Sequence, residues 1–216
     1  MALIPINQKL IQTENSTVTY QSEFLTPAES VDLFEYCLKK IEWKHDEAVI
    51  YGKKIITKRQ IAWFADSSFD YNYSKTSRVA NKWTGELMQI KNKLQEITNY
   101  SFNSCLLNLY YDGTEGMGWH SDDQNHLEPD SPVAIISLGE QRFFKLRETK
   151  NRENQRKLIL QNGSLLLMLH QTQKYWQHEI PKMASIKDIR INLTWRNMSK
   201  TSVSSLTQTE LNSNSY

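Results

Sequence analysis

Arg190-Ile191-Asn192-Leu193-Thr194-Trp195-Arg196 alternates polar and apolar side chains without a break. Successive side chains of an extended chain face opposite ways, so Arg190, Asn192, Thr194 and Arg196 share one face, and Ile191, Leu193 and Trp195 the other. Two guanidinium groups turned inward are costly to bury unless anions meet them. A dicarboxylic acid would satisfy both, whereas on an edge strand the same face would simply be solvated. Asn108-Leu109-Tyr110 repeats the alternation and could offer neutral hydrogen bonds to the same ligand, or be an ordinary amphipathic strand.

Upstream of this segment, short runs rich in Leu, Ile, Val, Phe and Tyr fall at 106–111, 133–138, 142–146, 157–160 and 164–169, with polar turns between them. Strands at such spacing predict an antiparallel sandwich or barrel. The N-terminal part reads as helical. Thr26-Pro27-Ala28-Glu29 has a capping residue, a proline suited to the first helical position and a glutamate three residues after the cap. Leu33, Phe34, Cys37, Leu38 and Ile41 follow at helical spacing, and Leu87, Ile90, Leu94 and Ile97 stripe a second helix over about 82–98. The expected class is α+β, with N-terminal packing helices against a C-terminal double-sheet β structure.

Composition removes other classes. A chain of 216 residues is the size of one generous domain, here 1–199. A spanning helix needs about 20 apolar residues in a row, and the longest run, Leu165 to Leu169, stops at His170, so no membrane partner is expected. The first residues are too few and too weakly basic for a secretory signal, and two cysteines make no disulfide framework, which fits a reducing intracellular setting, cytoplasmic or nuclear, with a bacterial-type cytoplasm as the default. The last polar stretch, 200–216, reads as a disordered tail. With 26 Lys+Arg against 24 Asp+Glu the net charge is +2, so nucleic-acid affinity has to come from local patches. A monomer is expected.

His120-Ser121-Asp122 sets an imidazole and a carboxylate on one face of an extended segment, where both can reach one metal. Alone this is weak, because Asp-rich turns are common. Two histidines and one carboxylate leave open positions for a chelating cosubstrate and dioxygen, the arrangement of non-haem Fe(II) oxygenases. His126, His170 and His178 are the candidates for the third ligand. His126 lies in a polar loop, His170 ends an apolar strand, and His178 comes 12 residues before Arg190.

Taken together, Asn108-Leu-Tyr110, His120-Ser-Asp122-Asp123, Ser131-Pro132 with Ser137-Leu-Gly139, Arg142-Phe-Phe144, Gly163-Ser-Leu165, Trp176-Gln-His178 and Arg190 to Arg196 resemble the AlkB family of Fe(II)- and 2-oxoglutarate-dependent nucleic-acid dealkylases. The resemblance spans about 41–197 and looks closest to the branch that repairs duplex DNA. It implies a double-stranded β-helix (jelly-roll) core in which His120, Asp122 and His178 bind Fe(II). It also implies that Arg190 pairs with the distal carboxylate of 2-oxoglutarate, a bidentate task for a planar guanidinium. Arg196 would lie near the carboxylate that chelates iron, with Asn108, Tyr110, Asn192 and Thr194 completing the pocket. His170 would be structural.

The chemistry implied is oxidative demethylation of bases such as 1-methyladenine and 3-methylcytosine in DNA or RNA, with O2 and 2-oxoglutarate converted to succinate and CO2 and the methyl group released as formaldehyde. A base inside a duplex has to be flipped out for this. By resemblance, Tyr73 stacks on that base and Tyr71 hydrogen-bonds, or both pack on the core. Asp123 meets the base edge or supports the metal site. Tyr51, on the Tyr51-Gly52 turn, fills the vacated gap as a wedge or is a plain hairpin turn. Basic clusters at Lys53-Lys54 with Lys58-Arg59, and from Arg142 to Lys157, suit phosphate contacts, with Arg147 and Arg152 on a polar hairpin as leading candidates. The same iron site could instead hydroxylate a protein or a small molecule, since fold and metal do not fix the substrate. An inactive nucleic-acid-binding module is a third reading, and the intact ligand set argues against it.

Overall fold

The computed structural model describes residues 8–50, 53–66, 71–73, 76–78, 80–122 and 124–199. In chain order the elements begin with strands β1 (Gln8–Gln12) and β2 (Ser16–Gln21), helix α1 (Pro27–Lys40), and strands β3 (Lys44–Ile50) and β4 (Lys53–Ala65). Short strands β5 (Tyr71–Tyr73) and β6 (Thr76–Arg78) precede helix α2 (Gly85–Thr98). Then come β7 (Ser104–Tyr110), β8 (Met117–His120), β9 (Val133–Gly139), β10 (Arg142–Glu148), β11 (Gln155–Leu160) and β12 (Ser164–His170). A helical turn α3 (Thr172–Tyr175) leads into β13 (Trp176–Ile180), and β14 (Arg190–Arg196) closes the described fold. Among the described residues no helix is long and apolar enough to cross a membrane.

Two sheets form the jelly roll. The larger has the order β1-β2-β12-β9-β14-β7-β4-β3, and the smaller β11-β10-β13-β8. The N-terminal part contributes more than its two helices, because β1 to β4 supply both flanks of the large sheet. Their sequences hide this: Gln8–Gln12 is mostly polar, and the first half of β4 carries four cations before its apolar half begins at Ile61. In the middle of the large sheet the period of two works as expected. Ile191, Leu193 and Trp195 of β14, Cys105, Leu107 and Leu109 of β7, and Ala134, Ile136 and Leu138 of β9 form a buried layer with Leu33, Cys37, Leu87 and Leu94 of the helices. The opposite face looks toward the small sheet, where Val133, Ile135, Phe144, Leu146, Leu166 and Trp176 build a second core. Arg190, Asn192, Thr194 and Arg196 share that inner side.

Both helices start on threonine caps. Thr26 Oγ1 accepts from the Glu29 N–H at 3.2 Å while the Glu29 carboxylate accepts from the Thr26 N–H at 2.7 Å. The second helix begins at Gly85 and not near residue 82, because Thr84 caps it and Asn81 is bridged to Phe64 of β4. Thr26→Ala removes one half of the capping box and is expected to cost about 1 kcal/mol, measured as a lower urea midpoint with unchanged slope. Gly163, between β11 and β12, has φ +77° and accepts from the Phe24 and Leu25 N–H groups. A Cβ there would strike Ser30 Oγ of α1, so the turn and the helix approach closely only with glycine. Cys37 and Cys105 are both free and buried, and burial pushes the Cys37 thiol up to about 12, which leaves it inert.

Candidate metal centre and anion chamber

His178 of β13 pairs directly across from His120 of β8, which puts both imidazoles on the inner face of the small sheet with ring centroids 4.2 Å apart. Asp122 follows two residues after His120, where β8 has ended. The candidate ligand atoms of His120, Asp122 and His178 all lie within 4.8 Å of one another. Ligands held at about 2.1 Å from one ion sit roughly 3 Å apart, so binding asks only for small side-chain shifts. His120 Nδ1 is 2.8 Å from the Gly118 carbonyl oxygen. A carbonyl only accepts, so Nδ1 carries the proton and Nε2 keeps its lone pair for a metal.

Electrostatics hold Asp122 and His178 in the forms a metal needs. Burial pushes the Asp122 carboxyl up, but Arg196, His178 and His120 outweigh it and hold it well below the usual carboxylate range. Burial, reinforced by His120, lowers His178 to about 3 against the pull of Asp122, so the imidazole is neutral near pH 7. Its ring is also stacked on Phe144 at 5.4 Å. The Arg196 guanidinium meets Asp122 with both arms, Nη2 to Oδ1 at 2.8 Å and Nε to Oδ2 at 3.1 Å. Arg196, expected near the cosubstrate carboxylate that chelates iron, thus stands beside the metal positions, paired with Asp122.

Behind the metal positions the chamber between the sheets ends on Arg190, which is fully buried. Its Nη2 donates to Ser137 Oγ at 3.0 Å and its guanidinium lies 5.5 Å from the centroid of the Tyr110 ring. Among the described residues Nε and Nη1 have no hydrogen-bond partner, and neither does Asn192 Oδ1. Burial is the main cause of a guanidinium pKa lowered to about 10. A buried cation with two idle donors is unfavourable by itself and fits a carboxylate that arrives with the ligand. Asn108, Tyr110, Asn192 and Thr194 line the same chamber, as the alternation of β7 and β14 predicts.

Two expected surface cations are inside instead. Arg142 is buried and donates to the carbonyl oxygens of Asp112, Glu115 and Pro181, so it pins two loops and is withdrawn from the basic patch. Arg59 lines the chamber, bonded to the Asp46 carboxylate of the neighbouring strand and 2.9 Å from Met117 Sδ. Arg147 stays at the surface, its guanidinium 4.2 Å from the centroid of the Trp119 ring and its Nε donating to Gln177. Arg152 is exposed in the β10–β11 turn. Tyr71 and Tyr73 belong to β5, which pairs with β6, and their side chains lie outside the described residues. Tyr51, Asp123 and the 200–216 tail lie outside them altogether, as does the side chain of His170. Asp46, which lines the chamber, and Gln173, which accepts from the Asp122 N–H, belong to the site without any sequence signal of their own, whereas Ser137, which accepts from Arg190, sits in the Ser137-Leu-Gly139 motif.

A jelly roll with two imidazoles and a carboxylate at one end of its chamber and a buried guanidinium at the other is the build of a 2-oxoglutarate oxygenase. Consistently, residues 17–196 match the 2OG-Fe(II) oxygenase superfamily. The chain is 32% identical over 182 residues to bovine alpha-ketoglutarate-dependent dioxygenase alkB homolog 3, covering 80% of this chain and 63% of the relative. It is 31% identical over 179 residues to the human DNA oxidative demethylase ALKBH2, covering 78% and 69% respectively. Among solved structures, OsALKBH1 superposes with a TM-score of 0.61 at 16% identity, covering 86% of this chain and 99% of that one. A Pseudomonas putida prolyl-4-hydroxylase follows the same fold with a TM-score of 0.58 at 15% identity. The chain belongs to the AlkB family of Fe(II)- and 2-oxoglutarate-dependent dioxygenases.

Proposed function

We propose that this protein removes alkyl groups oxidatively from damaged nucleic-acid bases, with 1-methyladenine and 3-methylcytosine in DNA or RNA as substrates. The observation that carries the reading is the pair of features in one chamber: a His120–Asp122–His178 cluster and a buried Arg190 with two idle donors. Fe(II) and 2-oxoglutarate supply the oxidation, in which dioxygen is consumed, the cosubstrate leaves as succinate and CO2, and the alkyl carbon gains a hydroxyl group. A hydroxymethyl group on a ring nitrogen then departs as formaldehyde.

The chain's own residues bind and orient. Nε2 of His120, the neutral imidazole of His178 and the Asp122 carboxylate hold the metal. Arg190 takes the far carboxylate of 2-oxoglutarate bidentately, with Asn108, Tyr110, Asn192 and Thr194 around it. Arg196 keeps Asp122 ionised and aimed. For the nucleic acid, Tyr71 and Tyr73 are assigned to the flipped base, Asp123 to its edge and Tyr51 to the gap left in the stack. Support for this substrate class comes from a relative named a DNA oxidative demethylase and from the exposed cations of the β10–β11 hairpin.

The test is mass spectrometry of 1-methyladenine oligonucleotides, as single- and double-stranded DNA and as RNA, after incubation with Fe(II), 2-oxoglutarate and ascorbate. Loss of 14 Da, the mass of one CH2, with formaldehyde release is the expected result. Consumption of 2-oxoglutarate with every oligonucleotide intact would move the substrate to a protein or a small molecule. Arg147→Ala is expected to weaken oligonucleotide binding about fivefold and to lower the salt dependence by about one counterion, read by fluorescence anisotropy across a salt series.

A further inference from the structure

Asp122 has to deliver its carboxylate to one point in space, yet its backbone belongs to no strand. β8 ends at His120, so beyond it the sheet no longer supplies hydrogen-bond partners. The acceptor for the Asp122 N–H comes from elsewhere: Gln173 Oε1, at 2.9 Å, in the α3 turn. Gln173 is 7% exposed, and its other arm, Nε2, is directed at the thioether of Met168 at 3.3 Å. That fixes which end of the amide is which, since only the oxygen can accept from Asp122 and only the nitrogen can donate to sulfur. One residue earlier, Ser121 Oγ donates to the Trp176 carbonyl oxygen at 3.0 Å. The turn is anchored in its own right, with Thr172 Oγ1 bonded to the Leu169 carbonyl oxygen of β12.

Gln173, Trp176 and His178 therefore lie on one continuous turn-and-strand segment. The first two hold residues 121 and 122, and the third is itself a metal-ligand candidate. We infer that Gln173 is a positioning residue for the metal centre, fixing the Asp122 backbone relative to His178 so that two ligands from separate elements share one frame. Arg196 restrains the Asp122 carboxylate from the β14 side, and Gln173 restrains its main chain from the β13 side. A ligand held at both its backbone and its side chain loses little freedom when the ion arrives, and partners of this kind are worth about 10–100-fold in metal affinity. The functional requirement is an acceptor at this reach. Glutamate preserves it, asparagine falls one methylene short, and methionine fills the space without it.

The inference rests on the His120–Asp122–His178 centre, and Mn(II) binding tests the two separately. Mn(II) affinity is measured by electron paramagnetic resonance or calorimetry on the full chain without cosubstrate, beside the melting temperature of the metal-free protein. Gln173→Met and Gln173→Asn are expected to weaken Mn(II) binding about 10–100-fold, while Gln173→Glu stays within about threefold of the parent. Should Gln173→Met fail to fold, the Asn and Glu variants carry the same contrast. Equal Mn(II) affinity in the parent, Met and Asn proteins overturns the positioning role. So does a loss shared by the Glu variant and matched by a fall in the metal-free melting temperature, which would mean packing alone. If the parent binds Mn(II) no better than His178→Ala, the metal centre itself is wrong, and the inference falls with it.

Discussion

Arg190→Met is expected to raise the 2-oxoglutarate concentration for half-maximal turnover by at least about 10²-fold while leaving the metal-free protein as stable as before, or more so. The two halves of this expectation have one cause. Nε and Nη1 of Arg190 are buried without partners among the described residues, so the cation contributes little to the empty fold and keeps its donors for the ligand. A charge-assisted hydrogen bond is worth about 1.5–3 kcal/mol, and losing two of them accounts for a factor of 10² or more at about 1.4 kcal/mol per tenfold. Replacing a poorly satisfied buried charge with an apolar chain of similar length is often neutral or stabilising. Arg190→Lys keeps the charge but loses the fork, and is expected to recover only part of the affinity. Steady-state titration with 2-oxoglutarate, set beside thermal melts, decides the matter. A large melting-temperature loss with an unchanged half-saturation would make Arg190 a structural residue held by Ser137 and Tyr110.

That residue was legible in the sequence because its strand advertises itself. Arg190 to Arg196 alternates over seven residues, and the structure buries the apolar set against the helices and turns the polar set into the chamber. The capping box of α1 is equally local, and it too was readable. Strand β13 was not: Trp176, His178 and Ile180 alternate with Gln177 and Glu179 over five residues only, and one of its buried positions is a histidine. Strand β8 is four residues with a glycine among them. Residues alone could not choose among His126, His170 and His178, since the choice depends on a cross-strand pairing of His178 with His120 across 58 residues of chain. Arg59 and Arg142 read as surface cations for a related reason. The groups that neutralise them are Asp46 on the next strand and three main-chain carbonyls, and a carbonyl occurs at every residue, so it leaves no mark in a sequence. The same holds for Gln173, whose partner is a backbone N–H.

His178→Ala is expected to abolish iron-dependent oxidation, with metal affinity falling about 10²–10³-fold. Structural zinc binding of about 10–16 kcal/mol shared by four ligands allots ~2.5–4 kcal/mol to each, and His120 with Asp122 alone cannot complete a three-ligand face. A second consequence separates loss of the ligand from loss of the fold. In the metal-free protein His178 has its pKa lowered to about 3 from 6.5, mainly by burial. Between those values the unfolded chain takes up a proton that the folded site refuses, so stability is fully present above about pH 6.5 and falls as the pH drops toward 3. The alanine variant has no imidazole to protonate, so its stability is expected to decline less steeply across that window. Asp122, whose folded pKa is depressed, loses its contribution only below its ordinary value of 3.8, at the acid end of the same range. Urea unfolding of both metal-free proteins from pH 7 to pH 4, beside Mn(II) binding at pH 7, gives the two readings. A shallower acid dependence together with lost metal affinity means that the buried imidazole was neutral and available to the ion. An unchanged acid dependence with metal affinity intact would assign the third ligand to another histidine.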